Sequence, residues 1–195
     1  MHDPAVEYFD TEQGDDMSGP NIGHFDQLGY VVPEIRAAMR HWTVVLGVGP
    51  FFLMPEVAIE GAYEGDTPST VGMTVAFSYV GDTQIELIQP LGDAPSPYRT
   101  FAQTHGGDGL HHICRFTNNY AEDLATIRGS QAPMRIYQAT AGPMQLAYIE
   151  GDRPGGAVLE LLSAPFMWGT FAEMAAVVKT WDGTDPVRSM APPDL

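Results

Sequence analysis

The chain has 195 residues, 44% of them hydrophobic, which suits one compact domain or two small fused modules. Its 9 Lys+Arg against 25 Asp+Glu give a formal net charge of −16, a field that repels phosphate backbones and acidic bilayers, so neither nucleic acid nor membrane is expected as a partner. The single cysteine, Cys114, excludes an internal disulfide framework and a thiolate zinc cluster, and reads as a small buried hydrophobe.

Residues 1–20, MHDPAVEYFDTEQGDDMSGP, are acidic and turn-rich and read as a flexible arm; they lack the basic start and apolar block of a signal peptide. No apolar run approaches the roughly 18 residues of a membrane span, so a cytoplasmic protein is expected. Residues 27–32, QLGYVV, read as a strand. Pro33 stops it and can open a helix, because its missing N–H does no harm there. From Glu34 to Leu46 the apolar residues Ile35, Met39, Trp42 and Leu46 recur at helical spacing, and Gly47 ends the run. GPFFLM is a second strand, and IEGAYEGDTPS a long polar loop. VGMTVAFSYV and TQIELIQP form a hairpin about Gly81-Asp82. The order is strand, helix, three strands, over residues 21–92.

A linker at 93–107 holds a short helix, Pro97 to Thr104. The order then repeats over 108–165: HHICRF as a strand, NYAEDLATIRGS as a helix capped by Asn118 or Asn119, then MRIYQATAG, MQLAYIEGD and GAVLELLSAP as strands. Residues 166–195 supply a further helix, roughly Thr170 to Trp181, with Phe171, Met174, Ala175 and Val178 on its docked face, and a tail.

The repeat gives two equivalent pairs of polar side chains. Each unit offers one at the start of its first strand and one within its last: Gln27 with Glu86, and His112 with Glu160. All four can bind a divalent cation. Each glutamate sits inside an apolar strand, and alternation puts Glu86 on the face of Gln84 and Ile88. A buried carboxylate must be paired, neutral or bound to a cation, and this chain has few basic residues to pair with. Other histidines fit less well. His111 should point to the face opposite His112, toward the helices or the rim. His24, three residues before Gln27, falls outside the repeat register but is the alternative first ligand. His105 sits in the linker, and His41 on the first helix is a surface residue.

These residues resemble the vicinal oxygen chelate superfamily, which includes glyoxalase I and methylmalonyl-CoA epimerase. The likeness spans about residues 24–164 and is closest to the epimerase in GDTQIELIQPLGDAPSPYRTFAQTHGGDGLHHICRF and GGAVLELL. It implies an α+β fold of two βαβββ modules forming a cupped, open mixed β-barrel around one divalent metal ion (Zn, Co, Ni, Mn or Fe), and a homodimer. Carried over residue by residue, it puts metal ligands at Glu86, His112 and Glu160. The epimerase's first histidine falls on Gln27; Gln, Glu, His, Glu is similar to the human type of glyoxalase I. This set argues against an extradiol dioxygenase, with its two histidines and one carboxylate. Two other positions depart from the pattern: Thr70 stands near the place of the epimerase's second catalytic glutamate, and Val31 at that of glyoxalase I's glutathione-binding arginine.

The resemblance implies a lyase or isomerase. The metal would act as a Lewis acid on the oxygens of a small-molecule carbonyl substrate while Glu160, or second Glu86, takes a proton from the adjacent carbon. Phe51, Phe52, Met54, Met73, Phe77, Tyr79 and Trp168 are candidates for an apolar wall, and Arg99, Arg115 or Arg153 for an anion. A hydrophobic carbonyl compound is the expected substrate. The alternatives are a metal-free sequestering protein similar to the bleomycin-resistance type, and an acyl-CoA epimerase.

Overall fold

A computed structural model of the chain describes residues 23–61, 68–130, 132–152 and 157–191. The expected arm at 1–20, the tip of the first polar loop and Arg153 lie outside these. The first module runs β1 (Gln27–Val31), α1 (Ile35–Val44), β2 (Phe51–Gly61), β3 (Ser69–Val80) and β4 (Thr83–Leu91). Helix α2 (Pro97–Thr104) links it to β5 (Gly109–Phe116), α3 (Tyr120–Arg128), β6 (Met134–Ala141), β7 (Met144–Gly151) and β8 (Val158–Ser163). After a 3-10 turn come α4 (Trp168–Lys179) and β9 (Val187–Ser189).

Within each module the first and last strands pair in parallel, β1 with β4 and β5 with β8, and the other pairs are antiparallel. The modules join where β1 and β5 run antiparallel. Among the described residues eight strands curl into a mixed barrel, in the order β3-β4-β1-β5-β8-β7-β6-β2, with β2 returning to β3. Among the described residues the far seam is narrow: β2 meets β6 at Glu60↔Thr140 and Gly61↔Ala139. The result is a cup, closed firmly along β1–β5 and barely opposite.

Where a helix covers the outer face, the strands are apolar on both faces. Ile35 and Met39 of α1 pack outside the barrel on Phe51, Leu53, Ile85 and Leu87. Tyr120, Leu124 and Ile127 of α3 do the same on Ala147, Ile149 and Leu161. The inner face carries the largest cluster, and Phe171 and Met174 of α4 close over it. Among the described residues no helix is long and apolar enough to cross a membrane.

Several boundaries differ from the sequence reading. Helix α1 begins at Ile35, with the Glu34 carboxylate accepting from Arg36 N and Ala37 N, and ends at Val44, leaving Leu46 exposed. Gly47 takes the left-handed conformation (φ 68°) that turns the chain out. The strand β2 continues through Ile59–Gly61, which the polar composition assigned to the loop, because β3 pairs with it residue by residue as far as Ser69. Helix α4 begins two residues early, at Trp168. The tail is not free: β9 pairs in parallel with Phe51–Leu53.

Candidate metal centre

The four polar residues of the two modules meet on the inner face of adjacent strands, in the order β4, β1, β5, β8. The register repeats. In the first module Glu86 lies beside Gly29, two residues after Gln27; in the second, Glu160 lies beside Cys114, two residues after His112. His112 Nε2 stands 2.9 Å from Glu160 Oε2, 3.5 Å from Glu86 Oε2 and 3.4 Å from Gln27 Oε1. Ligand atoms of Glu86, His112 and Glu160 all lie within 4.8 Å of one another. Gln27, His112 and Glu160 are buried, while the Glu86 side chain keeps 13% exposure.

This cluster fits a divalent cation. Atoms held about 2.1 Å from one ion sit roughly 3.0 to 3.4 Å apart at right or tetrahedral angles, close to the spacings seen. Two carboxylates match the charge of a dication. Glu160 Oε2 is buried and has no aligned hydrogen-bond donor, although His112 Nε2 is near it. Burial pushes the Glu86 carboxyl up, His112 draws it back, and the Glu160 charge raises it again. Burial alone would depress His112, but the flanking carboxylates outweigh it and hold the imidazole at about 9 when a proton rather than a metal occupies the site.

Local backbone explains how the His112 ring reaches its place. It lies over Gly29, where a Cβ would collide with the imidazole. The β1–β5 ladder has a bulge here: Gly29 pairs with His112 and Tyr30 with Leu110, so His111 has no partner on β1. The His111 ring packs toward a helix as expected, on Tyr98 and Phe101 of α2, but it does not turn fully away from His112. Strict alternation fails at a bulge, and His111 is buried, with its Nδ1 3.0 Å from His112 Nδ1. With His112 Nε2 among the oxygens, Nδ1–H is the donor and His111 Nδ1 the acceptor. Burial, with His112 and His105 nearby, holds His111 well below the usual histidine range, so it stays neutral.

A cavity of about 80 Å³ opens beside the cluster, lined by apolar side chains including Met54, Met73, Phe77, Met144 and Phe171. Gln27, Glu86, Glu160, Tyr98 and Tyr148 give it polar groups, the two phenols hydrogen-bonded to each other at 2.7 Å. Burial and the Glu160 charge push both phenols well up, so they remain protonated. Phe166, half exposed, stands on the rim.

Other sequence candidates fall elsewhere. Phe51 packs under α1. Phe52 and Tyr79 belong to the inner cluster without lining the cavity, and Trp168 stacks on Phe116. His24 is exposed and paired with Asp26 at 2.9 Å; His105 is exposed and stacks on Phe101; His41 is on the surface. Arg99 is engaged by Asp93 and the Gly92 carbonyl. Cys114 is buried as expected and lies against Glu160, whose charge adds to burial in pushing its thiol up. The sequence reading passed over Tyr98, Tyr148 and Gln84. Only Gln84 left a signal: a second polar residue on the Glu86 face of an apolar strand.

The profile of the Glyoxalase/Bleomycin resistance protein/Dioxygenase superfamily matches residues 26–148, most of both modules. The chain belongs to this superfamily, the vicinal oxygen chelate group. It is 26% identical over 153 residues to the mitochondrial methylmalonyl-CoA epimerase of Bos taurus, covering 75% of this chain and 79% of that one. It is 29% identical over 142 residues to an uncharacterised protein of Bacillus subtilis, covering 72% and 91%. An ethylmalonyl-CoA/methylmalonyl-CoA epimerase of Cereibacter sphaeroides is 34% identical over 93 residues, 48% of this chain and 60% of its own length. Two solved structures share the fold. A hypothetical protein of Bacillus halodurans superposes with a TM-score of 0.51 at 21% identity, covering 72% of this chain and 94% of its own. A methylmalonyl-CoA epimerase of Streptomyces coelicolor, in complex with 2-nitronate-propionyl-CoA, does so with 0.50 at 16%, covering 72% and 93%. Superfamily membership and the epimerase relatives support an isomerase- or epimerase-type function.

Proposed function

We propose that this chain is a divalent-metal-dependent lyase or isomerase that removes a proton from the carbon beside a carbonyl group of a small hydrophobic substrate, with Gln27, Glu86, His112 and Glu160 as metal ligands. The observation behind the reading is the approach of three side-chain oxygens, from three other strands, to His112 Nε2 inside a buried cup. Zn, Co, Ni, Mn and Fe(II) all suit three oxygens and one imidazole. When bound, such an ion supplies Lewis-acid stabilisation of negative charge developing on a carbonyl oxygen.

The chain's own residues would do the rest. Glu160 is the base: its buried carboxylate borders the cavity, within reach of a substrate held there. Glu86, more open and also on the cavity, is second. The methionine and phenylalanine wall holds an apolar substrate body and excludes water. Tyr98 and Tyr148, held as neutral phenols, are donors rather than charges.

The acyl-CoA epimerase reading is favoured by the names of the relatives. Against it, Thr70 stands near the place of the epimerase's second catalytic glutamate, and it is exposed and does not line the cavity. One assay separates the two. Purified chain loaded with Co²⁺ or Zn²⁺ is incubated in D₂O with a panel of hydrophobic ketones and aldehydes and with methylmalonyl-CoA. The proposal expects metal-dependent deuterium uptake beside the carbonyl of an apolar substrate, lost in Glu160→Gln. Uptake confined to methylmalonyl-CoA with inversion would establish the epimerase, and no uptake with any compound would refute proton abstraction.

A further inference from the structure

Gln27 differs from its counterpart His112 in one chemical respect. A carboxamide has two ends of similar shape, and only its oxygen binds a cation, whereas its NH₂ would present hydrogens to the site. Something must fix which end faces inward. The hydrogen bonds behind Gln27 do so without ambiguity, because they end on a group that can only accept. Tyr79 Oη lies 3.0 Å from the backbone carbonyl of Phe171 in α4, so its one hydrogen goes there. The Tyr79 oxygen therefore accepts, and Gln84 Nε2 donates to it at 2.7 Å. That turns Gln84 Oε1 toward Gln27, whose Nε2 donates at 2.6 Å. Gln27 Oε1 is left facing His112 Nε2.

We infer that Gln84 and Tyr79 are positioning residues that set the polarity of the Gln27 carboxamide, with the Phe171 carbonyl of α4 as the fixed end of the relay. The inference rests on the metal-centre reading above. The register supports it. Gln84 lies directly beside Gln27 in the β1–β4 ladder, and the corresponding neighbour of His112 in the β5–β8 ladder is Val158. The relay is present where the first ligand is an amide. Where it is an imidazole, Gly29 and His111 hold the ring instead. Gln27 and Gln84 are fully buried, so solvent cannot substitute for either partner. Phe171 also lines the cavity, so the helix that walls the substrate space holds the far end of the relay.

The test is a four-cornered cycle read as Co²⁺ affinity by chelator competition on the full chain: wild type, Tyr79→Phe, Gln27→Ala and the double variant, with thermal melts to verify folding. Loss of a group that orients a ligand weakens metal affinity by about 10- to 100-fold, and Tyr79→Phe should fall in that range. In the Gln27→Ala background the same change should cost nothing further, because no amide remains to orient. A general structural role would persist there. Should Tyr79→Phe fail to fold, Gln84→Met goes through the same cycle with the same expectation. Wild-type affinity in Tyr79→Phe, or an equal loss in the Gln27→Ala background, overturns the relay alone. Absence of Co²⁺ binding by the wild type overturns the metal centre and the relay with it.

Discussion

Gly29 carries no functional group, yet the His112 imidazole lies where its Cβ would be. Gly29→Ala should therefore displace the ring. Overpacking of this kind costs about 1–3 kcal/mol, and Co²⁺ affinity should fall with it; urea unfolding and metal titration read both, and a variant that binds Co²⁺ like the wild type would show that the ring does not need this place. His112 also gives the chain a pH signature. In the metal-free protein it holds its proton to about 9, against an ordinary histidine value of 6.5. A group whose folded pKa is raised stabilises fully below the unfolded value, and that contribution is lost as pH rises through the folded value. The thermal midpoint of chelator-treated protein should fall between pH 6.5 and about 9. With Nε2 bound to a dication the imidazole has no such proton to lose, so the loaded chain should hold its midpoint across that window. Scanning calorimetry at several pH values checks both arms, and a flat metal-free profile would contradict the assignment. At this scale, Glu86 and Glu160 were legible as charges inside apolar strands. The packing of His111 toward a helix was legible, but its contact with His112 was not, because a bulge leaves no trace in a pattern of alternating residues; nor was the Tyr98–Tyr148 pair, which joins α2 to β7 across the fold.

The helices and strands follow local chemistry where they are long and amphipathic. Helix α2 lies at the expected bounds, opened by Pro97 with Ser96 Oγ accepting from Arg99 N. Helix α1 stops short of Leu46 because its last apolar residues meet solvent rather than the sheet. Its start depends on the Glu34 carboxylate. Glu34→Ala should cost about 1 kcal/mol of stability, the usual worth of an N-cap. It should leave Co²⁺ affinity unchanged, since α1 packs on the outer face of the barrel. Denaturant unfolding and metal titration on the same sample test the pair of outcomes, and a loss of metal binding would mean that the outer helix supports the site directly. The strand β9 was not legible, because three residues carry too little pattern and their pairing with β2 is tertiary.

For the molecule as a whole, the repeat of strand, helix and three strands in each half was readable from the order of elements, and it carried the equivalence of Gln27 with His112 and of Glu86 with Glu160. The thin β2–β6 seam was not, since two residue pairs between distant segments leave no local sign. The duplicated architecture places the first and last strands of both modules side by side, so that one ladder, β4-β1-β5-β8, presents all four polar groups to one point. The most direct measurement is metal content by plasma mass spectrometry after reconstitution with Co²⁺ or Zn²⁺ and desalting, on the wild type and on His112→Ala and Glu160→Ala variants shown to be folded. One dication per chain in the wild type and none in the variants is the predicted result; a metal-free wild type, or variants that retain a full equivalent, would contradict it.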